Sequence, residues 1–268
     1  MPSIKSLSKR AFAFQNHIYF LSEASIRNIN TDSSYGSRFD IRYFKSLTEG
    51  GWSRKENIHS LLHYAERFLQ PLGEGSSRKA FLYSSKKVLK IAKDDFGMAQ
   101  NAEEALNGDI EPNQESMDSR ISTKLYDKSE QVPAGLFWII VELVKPLRGA
   151  YETNKGLIYS DGTKAEGPEA IKDEMRFKEI TGIPWRQFCK DLEKLIEGAE
   201  KSDSSYEYIE DSDYPEFVKS VARFARQSNL IVDDLLHLDH WGIAADGKIV
   251  LLDSGYSHNL PLYEVPED

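Results

Sequence analysis

The chain holds a single cysteine, Cys189, in 268 residues, so no disulfide can close within it and a reducing cytosol is the expected setting. Long apolar runs are lacking too: the longest, Ala134–Val141, falls far short of the ~20 residues that a membrane-spanning helix requires. The opening MPSIKSLSKRAFAF is basic but has neither a sustained apolar centre nor a small-residue cleavage site, and so a secretory leader is not expected. Positive charge is in deficit, with a net charge of −9 and a pI near 5.3. That argues against general nucleic-acid binding, because neutralising phosphates takes a surplus of Lys and Arg. No internal repeat is present. What remains is an ordinary globular composition, 40% apolar and 29% charged, in a chain long enough for one large core or two modest ones.

Residues 1–55 mix Phe12, Phe14, Tyr19, Phe20, Phe39, Tyr43 and Phe44 with Ser, Asn and Gly, and are expected to pack on the body as an extension. Leu61, Leu62, Ala65, Phe68 and Leu69 then form one apolar stripe at helical spacing, with Pro71 as the expected terminator. LGEGSSRKAFLYSSKKVLKIA reads as strand, Gly-rich turn, strand, turn, strand. Gln100–Leu106 reads as a short helix, starting near Phe96-Gly97 and carrying Glu103 and Glu104, and Asn107–Ser119 as a loop. Leu136–Val141 is the strongest strand, buried on both faces by its continuous apolarity, and it runs into Glu142-Leu143-Val144-Lys145-Pro146. Residues 148–180 look polar and irregular. Trp185, Phe188, Leu192, Leu195 and Ile196 mark a helix opened by Pro184. On that helix Cys189 reads as packing, not as a nucleophile. Ser202–Asp213 reads as an acidic, solvated loop. Phe217, Val218, Val221, Ala222 and Ala225 mark one more helix. The order predicts an α+β protein of two lobes, divided near residues 56 and 145, with a cleft between a strand-rich half (56–144) and a helical half (145–268).

Chemistry concentrates in Asp233–Ser257, DDLLHLDHWGIAADGKIVLLDSGYS. Asp246-Gly247 is a hairpin turn signal between Trp241–Ala244 and Lys248–Leu252. The hairpin brings Asp253 and the segment around Asp239 to one end, where converging carboxylates suit a hard cation such as Mg²⁺. An acidic group directly after four apolar strand residues must be partnered or functional. His237, Asp239 and His240 also spell a fragment seen in metal-dependent hydrolases. His17, His59, His63 and His258 supply no second spaced pair, and ordinary histidines satisfied by neighbours are the better expectation.

A Gly-rich turn, a strand lysine, a helix glutamate, a buried strand opening into a connector and a late acidic hairpin are the parts phosphoryl transfer needs. With these parts the sequence resembles the protein-kinase-like superfamily, which includes protein kinases and small-molecule phosphotransferases of the aminoglycoside and choline type. GEGSSRKAF, VLKIAK, GMAQNAEE and LLDSG resemble, more narrowly, short kinase-like proteins encoded by tailed phages. The resemblance spans about residues 57–257 and implies ATP and Mg²⁺ as cofactors. It places Gly73, Gly75 and Ser76 over the phosphates, with Arg78 where the family has its third glycine. It matches Lys90 to the phosphate-binding lysine, Glu104 (or Glu103) to its helix partner, and the backbone of Glu142 and Val144 to the adenine. Asp253, followed by Ser254-Gly255, matches the metal-binding aspartate.

The catalytic loop departs from the family pattern, since no asparagine stands in it. Counting back thirteen residues from Asp253 gives His240, with Leu235 five earlier, which cannot act as a base. A shift by one gives Asp239 in the metal-binding place and Asp234 as base, 239 − 234 = 5. Thirteen residues follow Gly255, too few for the segments with which protein kinases hold a peptide. The expected acceptor is therefore a small molecule or an unusual protein. A pseudokinase, keeping the fold as an interaction or virion-associated module, is the opposing expectation, and a metal-dependent hydrolase the minor one. In the enzyme reading the site residues are Asp234, Lys90 and Glu104 for catalysis, with Asp253 and Asp239 for metal.

Overall fold

Two capped helices begin the described chain in this computed structural model, which covers residues 39–49, 52–109, 120–153, 156–159, 164 and 171–255. Asp40 accepts from the N–H groups of Arg42 and Tyr43 to start α1 (Ile41–Ser46). Ser53 and Glu56 cap each other reciprocally at the start of α2 (Arg54–Phe68). Of the expected apolar stripe Leu61, Ala65 and Leu69 are buried. The helix closes before Pro71, which lies within strand β1 (Gln70–Glu74). The predicted strand–turn–strand–turn–strand follows as β1, β2 (Arg78–Ser84) and β3 (Lys87–Ala92). Next comes α3 (Asp95–Asp109), which starts next to the Phe96-Gly97 expected and runs past the expected end at Leu106. The expected loop to Ser119 therefore loses its first residues to α3, and 110–119 lie outside the described residues. β4 (Leu125–Lys128) and the short pair β5 (Gln131–Val132) and β6 (Gly135–Leu136) lead to β7 (Trp138–Glu142), buried throughout as expected.

These strands make an antiparallel sheet in the order β1-β2-β3-β7-β4. One apolar cluster joins Phe81, Leu89, Ile91, Trp138 and Ile140 to Phe44 of α1 and Ile58, Leu61 and Ala65 of α2. Another joins Val88, Ile139 and Val141 to Ala105 of α3, with Leu72, Ala80 and Leu143 packed against it. Alternation along β3 thus points Val88 and Lys90 away from the face that Leu89 and Ile91 present to α2. Of the expected amino-terminal extension, 1–38 and 50–51 lie outside the described residues. Phe39 and Phe44 do pack on the body, their rings 5.3 Å from each other and Phe39 also 5.3 Å from Tyr64.

Beyond β7 only Leu143 and Val144 separate the sheet from β8 (Lys145–Pro146), which belongs to a second, three-stranded sheet. The stretch predicted to be irregular carries β9 (Ala150–Thr153), β10 (Gly156–Tyr159) and α4 (Lys172–Thr181). The helix escaped prediction because its apolar residues make no stripe: Phe177 is buried while Met175 and Ile180 are exposed. α5 (Trp185–Lys201) starts after Pro184 as expected. The acidic loop predicted over Ser202–Asp213 contains instead α6 (Ser205–Glu210), anchored by the buried Ile209. α7 (Glu216–Gln227) and the single turn α8 (Val232–Leu235) lead through a 3₁₀ turn (Leu238–His240) into the predicted hairpin. Its strands β11 (Trp241–Ile243) and β12 (Ile249–Leu251) extend the order β12-β11-β8. Gly247, at φ +83°, makes the turn. Phe177, Phe188, Leu192, Val221 and Trp241 share the large core of this half, and the α+β class is as expected. Among the described residues no helix is long and apolar enough to cross a membrane.

Candidate functional site

The end of the second hairpin meets the first sheet through α3. Three backbone contacts wedge that helix in place. A side chain at Gly97 would overlap the carbonyl of Ser77, one at Gly135 the carbonyl of Met98, and one at Gly255 would lie 2.6 Å from Gln100 O. The Gly-rich turn is likewise pinned: Gly75 N–H donates to Arg78 O at 2.9 Å, Lys93 N–H to Ser77 O at 2.7 Å, and Ser77 Oγ donates to Gln100 Oε1. Gly73 and Gly75 are half-buried, and Ser76 is exposed at the tip.

Besides the apolar Met98 and Ala105, α3 buries a polar row. Gln100, Asn101, Glu104 and Asn107, one stripe at helical spacing, are all buried. Asn101 Nδ2 donates to Leu136 O at 3.0 Å, and Asn107 Nδ2 to Ser254 O at 2.6 Å. Glu104, only 2% exposed, accepts from Lys90 Nζ at 2.6 and 2.9 Å and from Arg78 Nη1 at 2.7 Å. Glu103 is half-buried and takes no part in this network's described bonds. Lys90 also donates to the backbone carbonyl of Leu252 at 2.9 Å, which sets it beside Asp253 although 253 − 90 = 163 residues separate the two.

Arg78 holds the centre. Its guanidinium, 8% exposed, bonds Glu104 and Asn101 through Nη1 and the Asp253 carboxylate through Nη2. Asp253 Oδ1 accepts from Gly255 N–H at 3.1 Å. Two cations and two carboxylates therefore balance inside one cluster. Burial alone would raise the pKa of Asp253, but Arg78 and then Lys90 outweigh it and hold the carboxyl well below the usual range. Burial works against the Arg78 charge, and Asp253 and Glu104 more than offset it, so the guanidinium stays firmly protonated. Sequence reasoning noticed Arg78 only as a missing glycine; a charged residue opening a half-buried strand was the available signal.

The remaining site residues fall around this cluster. Leu252 N–H donates to His240 O at 2.8 Å, one step beyond the Trp241–Leu251 pair of the ladder. Asp253 thus leaves one strand as Asp239, which is buried, enters the other. Asp234 lies on α8, where its carbonyl meets His240 Nδ1 at 2.7 Å. Trp241 Nε1 donates to Leu235 O at 2.9 Å, which fixes the loop from below. Burial, with His240 adjacent, lowers the pKa of His237 against the pull of Asp239 and Asp233. Among the described residues no three His, Cys, Asp or Glu side chains converge as a metal site, so the His-x-Asp-His fragment finds no further ligands there. A divalent metal does not fit at Asp253 as the cluster stands, because Arg78 and Gly255 N–H already engage the carboxylate.

Glu142 and Val144 occupy the junction between the sheets. Glu142 is buried and paired with Arg120 at 2.5 Å, and Arg120 reaches Asp246 in the hairpin turn at 3.3 Å. The Glu142 N–H is taken by Lys124 O at 2.9 Å. Val144 packs with Ala244 and Val250, and Leu252 lies against them. Cys189 is half-buried against the helical core, and burial, helped by Glu193, pushes its thiol up to about 12, which suits packing and not attack.

No protein-family model matches the chain, and no curated protein does. Among solved structures the chain is similar to the GDP and kanamycin complex of APH(2")-IIia, an aminoglycoside phosphotransferase. The two are 16% identical, with a TM-score of 0.31 over 74% of this chain and 72% of that one. A likeness at that level assigns no function; what the chain offers is its own cluster of Arg78, Lys90, Glu104 and Asp253.

Proposed function

We propose that the protein is a two-lobed, kinase-like nucleotide-binding phosphotransferase. The observation that supports this reading is the meeting of Lys90 with Glu104 and with the backbone at Leu252, beside Asp253, from three distant parts of the chain. Residues 56–144 serve as the nucleotide-binding lobe and 145–268 as the second lobe. The adenine of ATP is assigned to the apolar side chains on either side of the Leu143-Val144 link, with half-buried Leu72, Ala80 and Leu143 in one cluster and Val144, Ala244 and Leu252 in the other. The Val144 backbone serves the base, since Glu142 has its N–H engaged. Gly73, Gly75 and Ser76 cover the phosphates, Lys90 neutralises them, and Glu104 positions Lys90.

The acceptor hydroxyl oxygen attacks the γ-phosphorus, the bond to the β–γ bridging oxygen breaks, and the nucleoside diphosphate leaves. The hydroxyl proton passes to Asp234. The acceptor is a small molecule or an unusual protein. Mg²⁺, which when bound neutralises phosphate charge, is assigned to Asp253 and Asp239 by the resemblance, and Asp253 can take it only once Arg78 withdraws. The Arg78–Asp253 pair is also the observation that favours a second reading, a pseudokinase that binds nucleotide without transfer. Release of labelled phosphate from γ-labelled ATP to water, or its incorporation into the protein, separates the two. Transfer well above that of Lys90→Ala and Asp253→Ala is expected; label no higher than in those variants refutes the enzyme.

A further inference from the structure

We infer that Arg78 is the resident cation of this cleft, holding on Asp253 the place a divalent metal would take, so that a nucleoside polyphosphate binds without Mg²⁺. The inference rests on the nucleotide-binding reading and deepens it. Arg78 opens β2 directly after the Gly-rich turn, and its register partner Ala92 lies two residues past Lys90, so the strand delivers a second cation to the side where Lys90 stands. The guanidinium is fixed there by Glu104, Asn101 and Asp253 together, a geometry its planar fork holds and a single ammonium could not. Asp253 consequently has its charge matched before any ligand enters, and its second oxygen accepts from Gly255 N–H. Without Arg78 the cluster would carry Lys90 against two carboxylates and would call for an added cation. With Arg78 present, a divalent ion would bring two further positive charges to carboxylates already paired. Lys90 then faces the phosphates. Its bond to the neutral Leu252 carbonyl is one that a phosphate oxygen, being charged, replaces with a stronger one.

The test is titration of the full chain with ATP and with ADP, once in Mg²⁺ and once in EDTA. Dissociation constants within about threefold of each other in the two buffers are expected. Arg78→Gly should bind at least about tenfold more weakly in EDTA and recover with Mg²⁺, while Arg78→Lys, which keeps a charge, should sit between. Binding by the natural chain that appears only with Mg²⁺ overturns the inference and leaves the nucleotide reading standing. No binding in either buffer overturns both. The natural-chain comparison needs no variant, so a poorly folding Arg78→Gly does not shelter the idea.

Discussion

Glu104→Gln isolates the charge that holds the cleft together. Glu104 is the carboxylate that meets both Lys90, at 2.6 Å, and Arg78, at 2.7 Å, and glutamine keeps its shape while removing its charge. Two buried cations would then share Asp253 alone. Breaking a buried ion pair by removing one partner destabilises by about 3–5 kcal/mol. Lys90 keeps some contact with water, at 14% side-chain exposure, and can relax outward, so about 3 kcal/mol is expected. At about 2–4 °C per kcal/mol for chains of roughly this size, the melting midpoint should fall by about 6–12 °C. The natural assay is urea unfolding followed by the fluorescence of Trp138 and Trp241, both fully buried. Glu103→Gln, one residue away on the same helix, should stay within about 0.5 kcal/mol of the natural chain. Equal losses for the two variants, or a loss under about 0.5 kcal/mol for Glu104→Gln, would refute the reasoning.

Three further outcomes follow from the same contacts. Because Arg78 and Lys90 overcome burial to depress Asp253, the unfolded chain takes up that proton first as pH falls below about 4. The stability Asp253 contributes is present above that point and drains away as pH drops toward its folded value. Urea midpoints at pH 4 and pH 3 should therefore diverge more for the natural chain than for Asp253→Asn, and parallel behaviour would count against the cluster. Gly97→Ala drives a methyl into the Ser77 carbonyl; a loss of about 1–3 kcal/mol is expected, together with faster hydrogen exchange at Ser76 and Ser77, and a neutral variant would contradict the wedge. Cys189, with its thiol pushed up to about 12, should react with thiol reagents at pH 8 far more slowly than it does in the urea-unfolded chain, so equal rates in the two states would be the contrary result.

Patterns set by local backbone chemistry were legible in the sequence, and those set by tertiary contacts were not. The Gly-rich hairpin, the buried strand to Val141, the stripes at Trp185 and Phe217 and the Asp246-Gly247 turn carry their periodicity or turn residues openly. α4 and α6 each hang on one buried side chain, Phe177 and Ile209, too little to make a stripe. α3 runs past its expected end at Leu106 because the row of Gln100, Asn101, Glu104 and Asn107 is polar though buried, and reads in one dimension as a solvated surface. The preference for Glu104 over Glu103 did anticipate which carboxylate reaches Lys90. That Arg78 would stand between Glu104 and Asp253 needed three dimensions, since its partners lie 26 and 175 residues away.

The two-residue bridge between β7 and β8 limits how this molecule can breathe. Leu143 is already tied by its N–H to Lys86 O at 2.8 Å, and Leu147 N–H reaches Trp241 O at 2.9 Å. Rotation of one sheet against the other would strain the backbone next to Val144 and would also pull on the Leu251 N–H bond to Ile121 O at 2.6 Å and the Lys90 bond to Leu252 O at 2.9 Å. The two sheets are thereby stitched along one seam, and their spacing is set by the chain itself.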